Sequence, residues 1–234
     1  MLKSLQMIQC DILNLLYPNL CAACKSYLAI GEKIICISCE FKLPQTNYHL
    51  NKENPIMKKF WGRLSLLHAA SYYQFLKTGK VQRLMHELKY RNNTNVGERI
   101  GELYAYQLKQ DEVIFASADL IIPIPLHYKK LRKRGYNQSD YFAKGLAENL
   151  KIPWSNELVE RTVNTDSQTG KDRMQRWENV EQIFKAIETD TFTDKHVILV
   201  DDVVTTGSTL EACAQSMIKQ WKCEVSILTI ASAV

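Results

Sequence analysis

The chain has 234 residues, 46% apolar and 24% charged, and its 30 basic against 25 acidic side chains give a formal charge of +5. A chain of this size buries roughly 70% of its unfolded surface, so a core can form without disulfides and wholesale disorder is excluded. No stretch approaches the ~18 apolar residues of a membrane-spanning helix, and the mild positive balance admits an anionic partner without requiring one.

In chain order, MLKSLQMIQCDILNLLYPNL carries Asp11 within its apolar part and has no small-residue cleavage site. It reads as a short amphipathic helix ended by Pro18, not as a signal peptide. Seven cysteines follow an uneven pattern, and Cys21, Cys24, Cys36 and Cys39 form C-x2-C-x11-C-x2-C. An odd total without a secretion signal argues against a disulfide scaffold. Two such knuckles can instead aim four thiolates at one tetrahedral Zn2+, with Zn–S distances of about 2.3 Å. The eleven residues between them suffice for a hairpin, giving a compact zinc ribbon. Redox pairs or plain reduced thiols are the competing reading. His49 stands too far along the chain to be a first-choice ligand, and Cys10, Cys213 and Cys223 read as small buried apolar residues. Residues 1–60 thus form a small module that leans on its metal, and residues 61–234 form a second, larger domain.

Asn47 to Pro55 reads as a linker. LLHAASYYQF suggests a strand with Tyr72, Tyr73 and Phe75 in the sheet core. GKVQRLMHELKYR places Val81, Leu84, Met85 and Leu88 at helical spacing. Residues 96–109 predict a second helix, DLIIPIP a short buried strand, and residues 136–150 another helix. HVILV is a continuous apolar strand, residues 208–220 are helical, and CEVSILTIA closes the chain as a strand. Strands alternating with helices predict an α/β fold, a mostly parallel sheet with helices on both faces.

The stretch VILVDDVVTTGSTL carries the most specific chemistry. A buried strand runs to two carboxylates, Asp201 and Asp202, and then a hydroxyl-rich turn opens a helix. Carboxyl ends of parallel strands form the ligand crevice of such sheets, and a helix N-terminus offers backbone N–H groups to a phosphate. Thr205, Thr206, Ser208 and Thr209 add hydroxyl donors, and Gly207 permits positive φ and close approach. The two acids can accept from vicinal sugar hydroxyls at about 1.5–3 kcal/mol each, because the acceptor is charged. A 5-phosphorylated sugar with free 2- and 3-hydroxyls fits both halves. No lysine follows Gly207 as a Walker loop needs, and GxGxxG is absent. A simple Asp-Asp cap on the turn is the bland alternative.

This stretch resembles the phosphoribosyl-pyrophosphate loop of type I phosphoribosyltransferases. IPIPLHYKKLRKRGYNQS, RTVNTDSQTGKDRMQRWENVEQIF, LMHELKY and the cysteine module narrow the resemblance to the ComF family, which is associated with competence and DNA uptake. It covers nearly the whole chain. One departure is Lys171, where the family usually shows an apolar residue. The resemblance implies a phosphoribosyltransferase-like domain behind a zinc ribbon, in a cytoplasmic protein that binds phosphoribosyl pyrophosphate with Mg2+. Asp201 and Asp202 would hold the ribose, and Thr205, Thr206, Gly207, Ser208 and Thr209 the 5-phosphate. Leu126, His127 and the basic run beyond would meet the diphosphate. Arg161, Gln168, Arg176 and Asn179 would belong to a loop that closes over the site. No nucleobase-binding hood declares itself, so a catalytic residue is not assigned.

Lys129, Lys130, Arg132, Lys133 and Arg134, flanked by Tyr128 and Tyr136, admit three readings: a solvated loop, a diphosphate contact, or single-stranded DNA binding through phosphate attraction and base stacking. His86 and His127 read as surface or loop histidines. Two functions follow. One is a competence protein that handles incoming single-stranded DNA, with a helicase or translocase as partner. The other is a phosphoribosyltransferase of nucleotide or cofactor salvage with a purely structural zinc module.

Overall fold

The computed structural model describes residues 18–162 and 183–233. The expected positions Cys10, Gln168, Lys171, Arg176 and Asn179 lie outside them. No helix of the described residues is long and apolar enough to cross a membrane.

The cysteine-bearing segment opens this part of the chain and runs into a short helix, α1 (Ile37–Lys42), a 3-10 turn at Tyr48–Leu50 and α2 (Pro55–Lys58). Asn54 caps α2, its side chain accepting from the N–H groups of Ile56 and Met57, which satisfies donors that a first turn leaves orphaned. Then come β1 (His68–Gln74), α3 (Lys80–Tyr90), α4 (Asn95–Gln110), β2 (Leu120–Pro123), α5 (Tyr128–Arg134), α6 (Gln138–Leu150), the short strands β3 (Val159–Arg161) and β4 (Phe184–Ala186), β5 (His196–Val204), α7 (Ser208–Trp221) and β6 (Glu224–Ser232).

Four strands form one sheet in the order β1-β6-β5-β2, all parallel. Continuous runs such as Val197 to Val200 suit it, because a parallel sheet covered on both sides offers no solvated face. β3 and β4 pair antiparallel beside it. The expected parallel sheet is present, with helices on both faces.

Alternation along the strands sorts their side chains between two layers. Ile121, Ile198, Val200 and Leu228 face α3, α4 and α6, in a cluster that also holds Cys21, Ile35, Cys39 and Leu43. Leu120, Ile122, Val197, Leu199 and Ile227 face Ile56, Phe60 and the α7 residues Cys213, Met217 and Trp221. Each fully buried Leu or Ile contributes on the order of 1.5–3 kcal/mol. Tyr72 and Tyr73 lie in the first layer as expected, with Phe75 packed against it. α4 and α6 approach closely at two glycines. A Cβ on Gly101 would stand 2.6 Å from the Phe142 carbonyl oxygen, and one on Gly145 would overlap the Glu98 carbonyl.

Two local expectations change and a third is narrowed. The basic run is helical: α5 has no buried residue and ends on Gly135 at φ +84°, so its cations project from about two turns of helix, not from a loop. The helix expected from residue 136 starts at Gln138, because Asn137 is held extended by its amide donating to the Ile124 carbonyl and to Asp140. His127 is buried; its ring caps α5, accepting from the Lys129 N–H at 3.3 Å.

Candidate functional site

β5 is the strand from which the chain crosses to opposite faces. α7, which follows it and leads to β6, covers one face, while α6, which follows the neighbouring strand β2, covers the other. The crevice between their carboxyl ends is the topological switch point of the sheet. Register fixes what borders it. Pro123 pairs with Val200 and the Ile124 N–H donates to the Val200 carbonyl, so Pro125, Leu126 and His127 continue beside Asp201, Asp202 and the turn beyond.

The two acids lie within β5, before the strand ends. Successive residues of a strand point to opposite faces, and the two acids have different partners. Asp201 accepts from the Ser139 hydroxyl at 3.0 Å and from the Asp202 N–H at 2.8 Å. Asp202 is held by Lys89, whose Nζ stands 3.0 Å from Oδ1 and 2.9 Å from Oδ2. Burial, with Asp202's charge beside it, pushes Asp201 up to about 7. Burial also pushes the Cys213 thiol up; the charge of Asp201 adds to that and Arg161 opposes it. Asp201 continues the Val197 and Leu199 side of the strand, and Phe184 beneath Arg161 belongs to the same layer as α7. The Arg161 guanidinium lies 5.4 Å over the Phe184 ring.

The turn after β5 leaves Thr205, Thr206 and Ser208 exposed and Thr209 half-exposed. The Thr206 and Ser208 hydroxyls are 3.0 Å apart. Gly207 holds φ +83° at the start of α7, and a Cβ there would stand 2.9 Å from the Phe60 ring. Glycine therefore serves both the left-handed backbone and the close packing of Phe60 beneath the turn. The resulting crevice offers carboxylate acceptors on one side and hydroxyls at a helix N-terminus on the other. Lys89, Ser139 and Asn137 were not singled out from sequence. They come from distant segments, although they sit inside the LMHELKY and GYNQS stretches that carried the resemblance.

The second candidate centre is the cysteine module. The Sγ atoms of Cys21, Cys24, Cys36 and Cys39 all lie within 4.8 Å of one another, and among the described residues they form the metal-competent group. Cys24 Sγ and Cys36 Sγ are 3.8 Å apart, the ~3.8 Å separation that Zn–S bonds of about 2.3 Å impose on a tetrahedron. The Cys36 N–H points at Cys21 Sγ at 3.3 Å, as a knuckle requires to stabilise a thiolate. Hydrogen bonds from Ser26 draw the Cys24 thiol down to about 6, while burial pushes Cys39 up to about 12. The donor set fits a closed structural Zn2+ site. His49 takes no part: its Nε2 meets Asp111 at 2.8 Å. Cys213 and Cys223 are buried as expected.

Comparison with known proteins shows several likenesses. Residues 137–234 match the phosphoribosyl transferase domain. Shigella flexneri DNA utilization protein YhgH is 29% identical over 225 residues, covering 90% of this chain and 95% of that protein. Haemophilus influenzae competence protein F is 28% identical over 229 residues, 91% of this chain and 96% of that one. Saccharomyces cerevisiae adenine phosphoribosyltransferase superposes over 62% of this chain and 72% of its own, with 17% identity and a TM-score of 0.38.

Proposed function

Because this chain is a member of the ComF family, a competence-associated protein with a phosphoribosyltransferase domain, we propose that it binds phosphoribosyl pyrophosphate with Mg2+ at the carboxyl edge of its sheet and serves the handling of incoming single-stranded DNA. The observation that carries the reading is the pairing of Asp201 and Asp202 on β5 with a hydroxyl-lined turn that begins three residues on and leads into α7. The acids accept from the ribose 2- and 3-hydroxyls. The hydroxyls of Thr205, Thr206, Ser208 and Thr209 and the N-terminus of α7 receive the 5-phosphate. Leu126 and His127, beside this turn, border the place of the diphosphate, and Arg161 approaches from the α7 side. Arg176 belongs to the same reading as part of a closing segment.

Hard oxygen donors at Asp201 and Asp202 suit Mg2+, which when bound would offset the charge of the diphosphate. The four thiolates hold Zn2+ as a structural ion. For displacement at the sugar carbon, the lone pair of an acceptor forms a new bond to C1 while the C1–O bond to diphosphate breaks and that group leaves with its electron pair. Cations facing it would stabilise the charge that develops.

The DNA part of the reading rests on α5. Its five cations and exposed Tyr128 stand clear of the core, as phosphate attraction with base stacking demands. A competence helicase or translocase is the protein partner this role implies, in the cytoplasm.

Calorimetric titration with phosphoribosyl pyrophosphate, with and without Mg2+, tests the reading. Saturable binding strengthened by Mg2+ is expected, and no heat under either condition would refute it. A pyrophosphate-release assay across acceptors then decides whether turnover accompanies binding.

A further inference from the structure

Helix α3 touches both candidate centres. Arg83 donates to the Ala23 carbonyl at 3.3 Å, between the first two cysteines. Glu87 accepts from Lys25 at 2.6 Å, the residue directly after Cys24. Two residues further, Lys89 grips both carboxylate oxygens of Asp202. That pair is largely withdrawn from water, with side-chain exposures of 24% and 15%. The Leu88 carbonyl also accepts from Tyr136 Oη, so the last turn of the helix is tied to the segment after the basic helix as well. From Arg83 to Lys89 the helix rises about 9 Å, as a rod of continuous backbone hydrogen bonds. Its buried stripe of Val81, Leu84, Met85 and Leu88 seats it in the core.

We infer that α3 is a strut through which the cysteine module sets the position of Asp202, with Lys89 as the positioning residue. A lone carboxylate on a strand end can turn about its side-chain bonds; two-oxygen contact with one ammonium fixes its plane. The ammonium is placed by the helix, and the helix, seated in the core by its buried stripe, is held on its other side by the Ala23 and Lys25 contacts. Those contacts lie in the first knuckle, whose shape metal binding fixes. Occupancy of the four thiolates is therefore felt at the sugar-binding acid. This coupling rests on the reading that Asp202 meets the sugar, but its structural half can be read without ligand.

The experiment is hydrogen exchange of the ligand-free protein over residues 201–207, run in parallel with phosphoribosyl pyrophosphate titration. Glu87→Gln keeps all four cysteines and, checked by metal analysis, its Zn2+. It should raise exchange in that segment, and Lys89→Met should raise it by about fivefold or more, the lower end of ordinary coupling between sites. Lys89→Arg should restore protection. Chelation of the wild type should reproduce the Lys89→Met pattern there and add nothing to Lys89→Met itself. Exchange in Glu87→Gln equal to wild type, or chelation acting equally on wild type and Lys89→Met, overturns the strut. The sugar-diphosphate titration separates the two ideas. If the exchange pattern holds and wild type binds no ligand, the functional reading falls and the strut stands. If wild type binds and all variants match it in exchange and affinity, the strut falls alone.

Discussion

The cysteine module and the carboxyl edge of the sheet are two polar centres assembled in opposite ways. All four thiols come from the nineteen positions between Cys21 and Cys39, and their convergence follows from two turns and a return of the chain. The sheet edge draws Lys89, Ser139, Arg161 and Asp201 with Asp202 from segments scattered over more than a hundred residues. The first centre is a local object that needs an ion. The second is a product of the whole fold, and it places hydrogen-bond donors around acids that burial would otherwise disfavour. Yet the two are not separable bodies, since Cys21, Ile35 and Cys39 pack in the same layer as α3, α4 and α6.

The strongest way to probe the contrast is Cys21→Ser with Cys24→Ser. Structural zinc contributes apparent folding energies of about 10–16 kcal/mol in small fingers, so metal content should fall to none and stability by several kcal/mol. Limited proteolysis should then cut first between residues 20 and 45. Protection of α3 should weaken too, because Arg83 and Glu87 lose their partners. Unchanged metal content would refute the tetrathiolate site.

Next in size, Asp201→Asn with Asp202→Asn should leave zinc untouched and lower phosphoribosyl pyrophosphate affinity by about 100-fold or more, two charged hydrogen bonds being lost. Calorimetry checks this, and retained affinity would remove the acids from the site.

Gly207→Ala sits lower, at about 1–2 kcal/mol of stability for a side chain in the left-handed region. The contact with Phe60 adds to that cost. Denaturant titration reads it, and the same variant should weaken phosphate binding by distorting the turn.

A further test is a pH dependence. Asp201 titrates near about 7 in the native state because of burial and Asp202, against ~3.9 when unfolded. Between these values the folded chain binds more protons, so this residue's contribution to stability falls as pH rises from about 4 to about 7. Asp201→Asn should therefore melt a few degrees above wild type at pH 8 and alongside it at pH 4. Thermal melts at both values test it; a gain at pH 4 alone would reverse the sign.

Much of the fold was legible because its signals are local. The i, i+3, i+4, i+7 spacing in α3, the apolar run of β5 and the turn chemistry of Gly207 each read correctly from adjacent residues. The basic run was missed as a helix. Nothing in KKLRKR has an apolar stripe to bury, and what starts it is the His127 cap, visible only once β2 has placed that ring.

The sequence alone determined which atoms can do chemistry: four thiols at knuckle spacing, two adjacent acids and a hydroxyl-rich turn, because short spacings constrain geometry without help from the rest of the chain. The tertiary structure decided the strand order, the faces to which Asp201 and Asp202 point, and the choice of Ser139 and Lys89 as their partners. Contacts across dozens of residues depend on how whole layers pack, and no local pattern encodes that.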